Sequence, residues 1–127
     1  MDEHGKLSRR ERQIMDIVYT LNEATATDVL RGIRERVSRA TIRSLLRILE
    51  AKGHLKHVKR GREFVYRPVR PRHRAGQSAI RRALTIFFDG SLEKALAYHL
   101  ADPATRLDPQ ERDRLIELIR KAGDEGG

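Results

Sequence analysis

The spacing of the apolar residues changes from a helical to a strand period at Gly53, and this change limits the fold more than any other feature. Before Gly53, apolar residues recur at i, i+3, i+4 and i+7 and predict helices over residues 7–21, 26–36 and 39–52. After Gly53, β-forming residues lie on both sides of a basic turn over residues 59–62, which predicts a β-hairpin. Three helices followed by a two-stranded hairpin predict a winged helix-turn-helix.

Polar residues at helix starts support these boundaries. Ser8 precedes Glu11 by three residues and Thr25 precedes Asp28 by three, so each pair can form a capping box, and Ser38 is the expected N-cap of the third helix. Gly53 is expected to end that helix in the left-handed conformation. The predicted apolar stripes are Ile14, Ile17, Val18 and Leu21, then Val29, Leu30 and Ile33, then Ile42, Leu45, Leu46 and Leu49.

The rest of the chain predicts a second, all-helical region. Residues 71–76 are polar and resemble a connector that leads into a fourth helix, which ends at Asp89-Gly90; a fifth follows Ser91, and a sixth runs from Pro109 to Gly123. Three short helices bury little apolar surface alone, so we expect a second copy to cover them; packing against the first domain of the same chain is the alternative. The expected dimerisation residues are Ile80, Leu84, Phe87, Phe88, Leu92, Leu96, Leu100, Leu115, Leu118 and Ile119.

The net charge of +9 is concentrated in one segment. Residues 38–70 carry ten Lys and Arg against only Glu50 and Glu63, which gives +8, whereas residues 1–37 sum to zero. A focused basic segment favours a polyanionic partner, most often nucleic acid, while a merely solubilising charge would be spread along the chain. We therefore expect residues 1–70 to be a DNA-binding domain and residues 71–127 to be a dimerisation domain.

The third helix has the surface that a major-groove helix needs. With Ile42 at the centre of its buried face, the 100° rotation per residue turns small side chains outward, with cationic ones on one flank and Thr41 on the other. Small residues permit close approach to base edges, and arginines can bind guanine or phosphate. The backbone N–H groups of residues 39–41 suit a phosphate oxygen. The predicted DNA-contacting residues are Arg39, Ala40, Thr41, Arg43, Ser44, Arg47, Arg60 and Arg62.

Several classes of chemistry have no support in the sequence. The chain has no cysteine, which excludes disulfides, thiolate catalysis and Cys-based metal sites. His54 and His57 lie close together, but no third ligand completes a zinc site, and no Gly-rich phosphate loop or H-E-x-x-H motif occurs. We expect no catalytic residue, cofactor, metal or membrane span. Because Met1–His4 lack the basic start of a signal peptide, we expect a cytoplasmic protein.

Residues 7–123 resemble the BlaI/MecI family of penicillinase repressors. The matching segments are LSRRERQIMDIVY at 7–19, SRATIR at 38–43, RILEAKG at 47–53, KRGREFVYRP at 59–68, FDGS at 88–91 and LDPQE at 107–111. The resemblance implies a homodimeric transcriptional repressor that binds a double-stranded, inverted-repeat operator through the third helix and the wing and dimerises through its C-terminal helices. It assigns DNA contacts to Thr41, Arg43, Ser44, Arg47, Arg60 and Arg62.

The same resemblance frames how the protein releases DNA. In antibiotic-responsive members a protease pathway cuts an Asn-Phe bond in the dimerisation part, which implies a protease partner; the nearest positions here are Tyr98 and His99. Copper-responsive members carry a C-terminal cysteine cluster, which this chain lacks. Tyr19 stands where the family often has Trp. Release by proteolysis and release by a ligand both stay open.

Three other functions are weighed against a sequence-specific repressor. A non-specific architectural DNA binder would show little sequence preference, although the small outward face of the third helix favours base reading. A ligand-sensing regulator would hold its effector among Phe87, Phe88 and Tyr98, which are otherwise expected to be dimer core. A protein-interaction module would use the basic hairpin to bind an acidic partner.

Overall fold

The computed structural model describes residues 6–126, so the residues on which the signal-peptide expectation rests, Met1–His4, lie outside the described part. The helices and strands confirm a mostly helical chain with one antiparallel hairpin. They are α1 (Arg9–Leu21), α2 (Ala26–Gly32), α3 (Arg39–Ala51), β1 (Leu55–Arg60), β2 (Glu63–Pro68), α4 (Arg72–Phe87), α5 (Leu92–Ala101) and α6 (Pro109–Gly126).

Side-chain caps start the first three helices where the sequence predicts them. The Ser8 hydroxyl accepts from the Glu11 backbone N–H at 3.1 Å, and the Glu11 carboxylate accepts from the Ser8 N–H at 2.7 Å. Thr25 and Asp28 form the same reciprocal box. These bonds satisfy backbone donors that have no partner within the helix.

The second helix is shorter than predicted. It ends at Gly32, not near residue 36, because Ile33 adopts extended backbone angles. This turn of the chain keeps the Ile33 side chain in the core while the polar residues after it leave the helix.

The core of the N-terminal part is built from the predicted stripes. The side chains with almost no exposure are Ile14, Val18, Val29, Ile42, Leu46, Leu49 and Leu55. Leu21 is the exception among the stripe residues: as the last residue of α1 it is 48% exposed. The three helices pack their apolar faces on one another, which leaves the opposite face of α3 in solvent.

The hairpin packs beside α3 and is held to the helices by its own backbone. Its register pairs Leu55 with Pro68 at one end and Arg60 with Glu63 at the other, so the turn is Gly61-Arg62, tighter than the four residues predicted. Gly61 has φ +65°, a conformation that side chains with a Cβ rarely adopt. The backbone of Ala24, which lies between α1 and α2, forms an isolated antiparallel bridge with β2 by exchanging two hydrogen bonds with Tyr66, at 2.9 and 2.8 Å. We call β1, β2 and their turn the wing.

The chain divides into two compact units, Met1–Gln77 and Ser78–Gly127. The division falls inside α4, whereas the sequence places a domain boundary after residue 70; the division into a DNA-binding and a dimerisation domain stays a prediction. Within the described side chains of the C-terminal unit, no residue is buried.

Two boundaries of the C-terminal helices differ from prediction. Helix α4 begins inside the segment predicted to be a connector, because the Pro71 carbonyl accepts from the N–H groups of Arg74 and Ala75, both at 3.1 Å, and so forms a first helical turn. Helix α6 continues to Gly126 instead of ending at Gly123, since one glycine costs a helix only about 1 kcal/mol.

Candidate nucleic-acid interface

Helix α3 presents a continuous exposed face. Its core contacts come from Ile42, Leu46 and Leu49, and its opposite side carries only exposed residues. The structure therefore places all six predicted α3 residues in solvent, namely Arg39, Ala40, Thr41, Arg43, Ser44 and Arg47. The centre of this face is small and hydroxyl-bearing, which permits close contact with another surface.

A groove runs between α3, the start of α2 and the wing. Its volume is about 390 Å³. Four arginines line it, three from α3 and one from the turn of the wing, so it concentrates positive charge where the helix and hairpin meet. We call it the arginine groove; its lining residues are Thr25, Ala26, Thr27, Arg39, Arg43, Arg47, Glu50, His57, Arg62, Glu63, Phe64 and Tyr66.

An aromatic cluster forms the wing side of the arginine groove. The rings of His57 and Phe64 stack with their centroids 4.2 Å apart, and Tyr66 packs at an angle to both. Burial raises the pKa of Tyr66 and the Glu50 carboxylate adds to the rise, against the opposing effect of the α3 arginines, so its hydroxyl stays protonated at neutral pH. None of these three aromatic residues is among the DNA-contacting residues predicted from the sequence.

A hydrogen bond joins the wing to α3 across the groove. His57 Nδ1 lies 2.7 Å from both carboxylate oxygens of Glu50. From the sequence, Glu50 is only one of two acidic residues in the basic segment, and His57 is only a histidine without enough partners for a zinc site. Their contact with each other is not predicted. The period of two in β1 places His57 on the same face as the buried Leu55, but no local pattern pairs it with Glu50, seven residues earlier.

Polar groups at the start of α3 that are expected to face DNA already have hydrogen-bond partners within the protein. The Ser38 hydroxyl accepts from the backbone N–H of Thr41 at 3.1 Å and lies 2.9 Å from its Oγ1, so the expectation of a free N–H at residue 41 is wrong. The Arg39 guanidinium donates to Thr27 Oγ1 at 2.9 Å. Thr41 Oγ1 accepts from Ser38 and keeps its own hydrogen for donation.

The two arginines at the tip of the wing, Arg60 and Arg62, lie in different surroundings. Arg62 lines the arginine groove, whereas Arg60 donates to the Glu23 carboxylate at 2.6 Å, together with Arg67 at 3.1 Å. The hydrogen bond from Arg60 is the main cause that lowers the pKa of Glu23, so this carboxylate is charged at neutral pH. The structure thus brings Arg62 next to the α3 arginines and places Arg60 in an ion pair outside the groove lining.

Other kinds of site find no counterpart in residues 6–126. There, no three His, Asp or Glu side chains group as a bound metal ion requires. No described helix combines the length and the apolar character needed to cross a membrane.

Solved structures share this architecture. The solution structure of the DNA-binding domain of the repressor BlaI is 29% identical, with a TM-score of 0.50, and the match covers 56% of this chain and 89% of that one. A disulfide-formed AbfR structure is 15% identical with a TM-score of 0.50 over 94% of this chain and 69% of its own, which is a likeness of fold alone. BpsR of Bordetella bronchiseptica is 19% identical with a TM-score of 0.49, covering 94% and 77%.

Sequence comparison extends the match beyond the wing. No curated protein matches the chain significantly. The family model of the penicillinase repressor matches residues 7–121, which include α1 to α5, the wing and most of α6. This length of match, together with the BlaI-like fold of α1 to β2, identifies a regulator rather than an enzyme. The chain belongs to the penicillinase repressor family and is a DNA-binding transcriptional regulator.

Proposed function

We propose that the protein is a homodimeric repressor that recognises an inverted-repeat operator, with α3 in the major groove and the wing on the adjacent backbone. The observation that carries this proposal is the exposed face of α3, where Ala40, Thr41 and Ser44 lie beside the arginine groove. An α-helix fits the major groove, and a small face between cations lets hydroxyls and guanidinium groups reach base edges. The +8 charge of residues 38–70 supplies the sequence-independent attraction.

Contacts within this face are proposed to divide between bases and phosphates. Thr41, Ser44 and Arg43 are the proposed base readers, because they project from the first half of α3. Ala40 lets the helix approach the bases closely. Arg39, Arg47 and Arg62 are proposed to contact phosphates, and Arg60 joins them when a phosphate replaces Glu23 as its partner.

The apolar surface of the C-terminal unit supports the dimer. Phe87 and Leu118 are 74% and 64% exposed, and Ile80, Leu92 and Ile119 are also exposed. Large apolar side chains left exposed in one small unit favour burial against another protein. A two-fold dimer presents two copies of α3, which a palindromic operator matches by symmetry. We propose the ten residues named above as dimer contacts.

If this protein is released from DNA by proteolysis, as in the antibiotic-responsive members, cleavage near Tyr98 and His99 requires α5 to open first. Tyr98 and His99, the positions nearest to the Asn-Phe bond of the antibiotic-responsive members, lie inside α5. A bond within a helix is a poor protease substrate until the helix opens locally.

We also propose that the protein acts in the cytoplasm, where it reaches DNA.

The test is DNA binding at physiological salt. The duplex upstream of the protein's own gene is compared with a shuffled duplex of equal length and composition. We expect a preference of about 10³-fold or more, and a footprint with two symmetric half-sites. Equal and salt-sensitive binding to both duplexes would instead identify an architectural DNA binder, and light scattering that shows a monomer would remove the dimer from the proposal.

A further inference from the structure

The positive charge of the chain continues past the wing into α4 and stops there. Residues 64–88 contain six arginines and neither Asp nor Glu. From Asp89 onward the balance reverses, because residues 89–127 carry six Lys and Arg against nine Asp and Glu, or −3. Helix α4 is therefore basic, whereas the residues that follow it are acidic on balance.

Two arginines of α4 lie on a common face with two hydroxyl-bearing residues. Ser78, Arg81 and Thr85 follow one another at i, i+3 and i+7, which keeps them within about 60° of one another on the helix. Arg82 widens this face, and the guanidinium groups of Arg81 and Arg82 are exposed. We call these four residues the α4 stripe.

The α4 stripe lines a shallow depression in the surface of the C-terminal unit. Ser78, Arg81, Arg82 and Thr85, together with Ile86, line a depression of about 330 Å³. Guanidinium groups beside hydroxyl groups are the side chains that most often bind phosphate oxygens. This chemistry differs from that of the apolar faces of α5 and α6.

The charges of the α4 stripe are not neutralised within the described chain. Among residues 6–124, no carboxylate lies within ion-pair distance of Arg81 or Arg82. By contrast, Arg60 and Arg67 share Glu23. An uncompensated row of cations favours an extended anion over a neutral partner.

We propose that the α4 stripe is a second phosphate-binding surface, which holds the DNA backbone in addition to the contacts made by α3 and the wing. The inference rests on the proposed function. Arg81 and Thr85 lie one helical turn apart on the same face of α4, so a guanidinium and a hydroxyl group can hold one phosphate together. The α4 stripe thereby lengthens the DNA contact without adding sequence preference.

DNA fits the α4 stripe better than the acidic surface of a second copy does. The α6 carboxylates of Asp113 and Glu117 already have cations of their own helix beside them, Arg112 and Arg120. The α4 stripe also continues, without an intervening acidic residue, the basic segment that contains the wing. A second copy of the chain is therefore the alternative that the experiment has to separate.

The test is the salt dependence of DNA binding by Arg81→Gln/Arg82→Gln in the full-length protein. We expect the slope of log affinity against log salt to become shallower by about one for each arginine that contacts a phosphate, equally on the upstream and the shuffled duplex. Arg81→Lys/Arg82→Lys keeps the charge and should restore the slope. Arg120→Gln/Lys121→Gln removes the same charge from α6 and should leave the slope unchanged.

The outcomes separate the inference from the function on which it rests. A wild-type slope in Arg81→Gln/Arg82→Gln, or an equal loss in Arg120→Gln/Lys121→Gln, overturns the inference while the wild-type protein still binds DNA. Loss of the dimer in Arg81→Gln/Arg82→Gln, seen by light scattering, assigns the α4 stripe to a second copy and also overturns it. Failure of the wild-type protein to bind either duplex overturns the proposed function itself.

Discussion

Nδ1 of His57 lies 2.7 Å from both carboxylate oxygens of Glu50, and this contact connects the wing to the last turn of α3. The His57 ring also stacks on Phe64, so its position is set by β2 as well as by α3. Both partners are about one-third exposed, at 31% and 33% for their side chains. The contact therefore sets the width of the arginine groove from a position that solvent can reach.

Replacing His57 by Ala should weaken DNA binding. The substitution removes one hydrogen bond between the wing and α3, worth about 0.5–1.5 kcal/mol. It also leaves the Glu50 carboxylate without its partner in a groove that is expected to face phosphates, which carry the same charge. We expect about three- to tenfold weaker binding on the upstream duplex, measured by fluorescence anisotropy. His99→Ala, an exposed histidine on α5, is the control and should bind normally. Unchanged affinity for His57→Ala would show that the wing keeps its place without this contact.

The caps and stripes of α1 to α3 could be predicted from sequence because both depend on residues close along the chain. Ser8 finds Glu11 three residues away, and the buried face of α3 follows from its period alone. Pairs between distant residues could not be predicted this way. Arg60 meets Glu23 across 37 positions, which depends on the register of the wing and on where α1 ends. For that reason the sequence assigned Arg60 and Arg62 the same role, although their surroundings differ.

Helix ends show the same limit. Composition placed a connector over residues 71–76, but Pro71 is a good start for a helix and its carbonyl accepts two N–H groups of the next turn. The end of α2 depends on tertiary packing, because the core holds Ile33 in an extended conformation. The start of α4 is thus set by local hydrogen bonds that composition does not reveal, whereas the end of α2 is set by packing with distant residues.

Neutralising Glu23 should strengthen non-specific DNA binding. In Glu23→Gln, the guanidinium of Arg60 loses its charged partner and becomes available to a phosphate. We expect the salt slope on a shuffled duplex to become steeper by up to about one. Glu93→Gln, which makes the same charge change on α5, separates this effect from net charge. In the double variant Glu23→Gln/Arg60→Ala the gain should vanish; if it persists, Arg60 is not the residue released.

The Glu11 carboxylate should stabilise the N-terminal unit in a pH-dependent way. Burial raises its pKa, but hydrogen bonds from Ser8 and from Lys52, whose Nζ lies 3.0 Å away, outweigh burial and lower the pKa below 4.5. A folded-state pKa below the unfolded value means that this contribution is fully present above about pH 4.5 and is lost as pH falls through the folded value.

Thermal unfolding of Glu11→Gln measures that contribution. At neutral pH we expect a loss of about 1 kcal/mol, or about 4–8 °C in Tm for a unit of this size, because the amide oxygen can still accept from the Ser8 N–H but the charge that attracts Lys52 is lost. The difference from wild type should shrink as pH falls below 4.5. Asp16→Asn, on the exposed face of α1, makes the same chemical change and should alter stability by less than about 0.5 kcal/mol. A gap that stays constant with pH would contradict the role of the Glu11 charge.

Replacing Arg43 by Ala should relax sequence selectivity as well as affinity. Arg43 lies on the exposed side of α3 and lines the arginine groove, next to Ser44 and two residues after Thr41, so its fork of donors can pair with guanine in the major groove. We expect a loss of about 1–3 kcal/mol on the upstream duplex and equal acceptance of all four base pairs at one position of each half-site. Arg114→Ala on α6 removes the same side chain from an exposed position in the C-terminal unit and should change neither property. Equal losses on the upstream and the shuffled duplex would instead assign Arg43 to a phosphate, and Thr41 and Ser44 would then have to supply the base contacts.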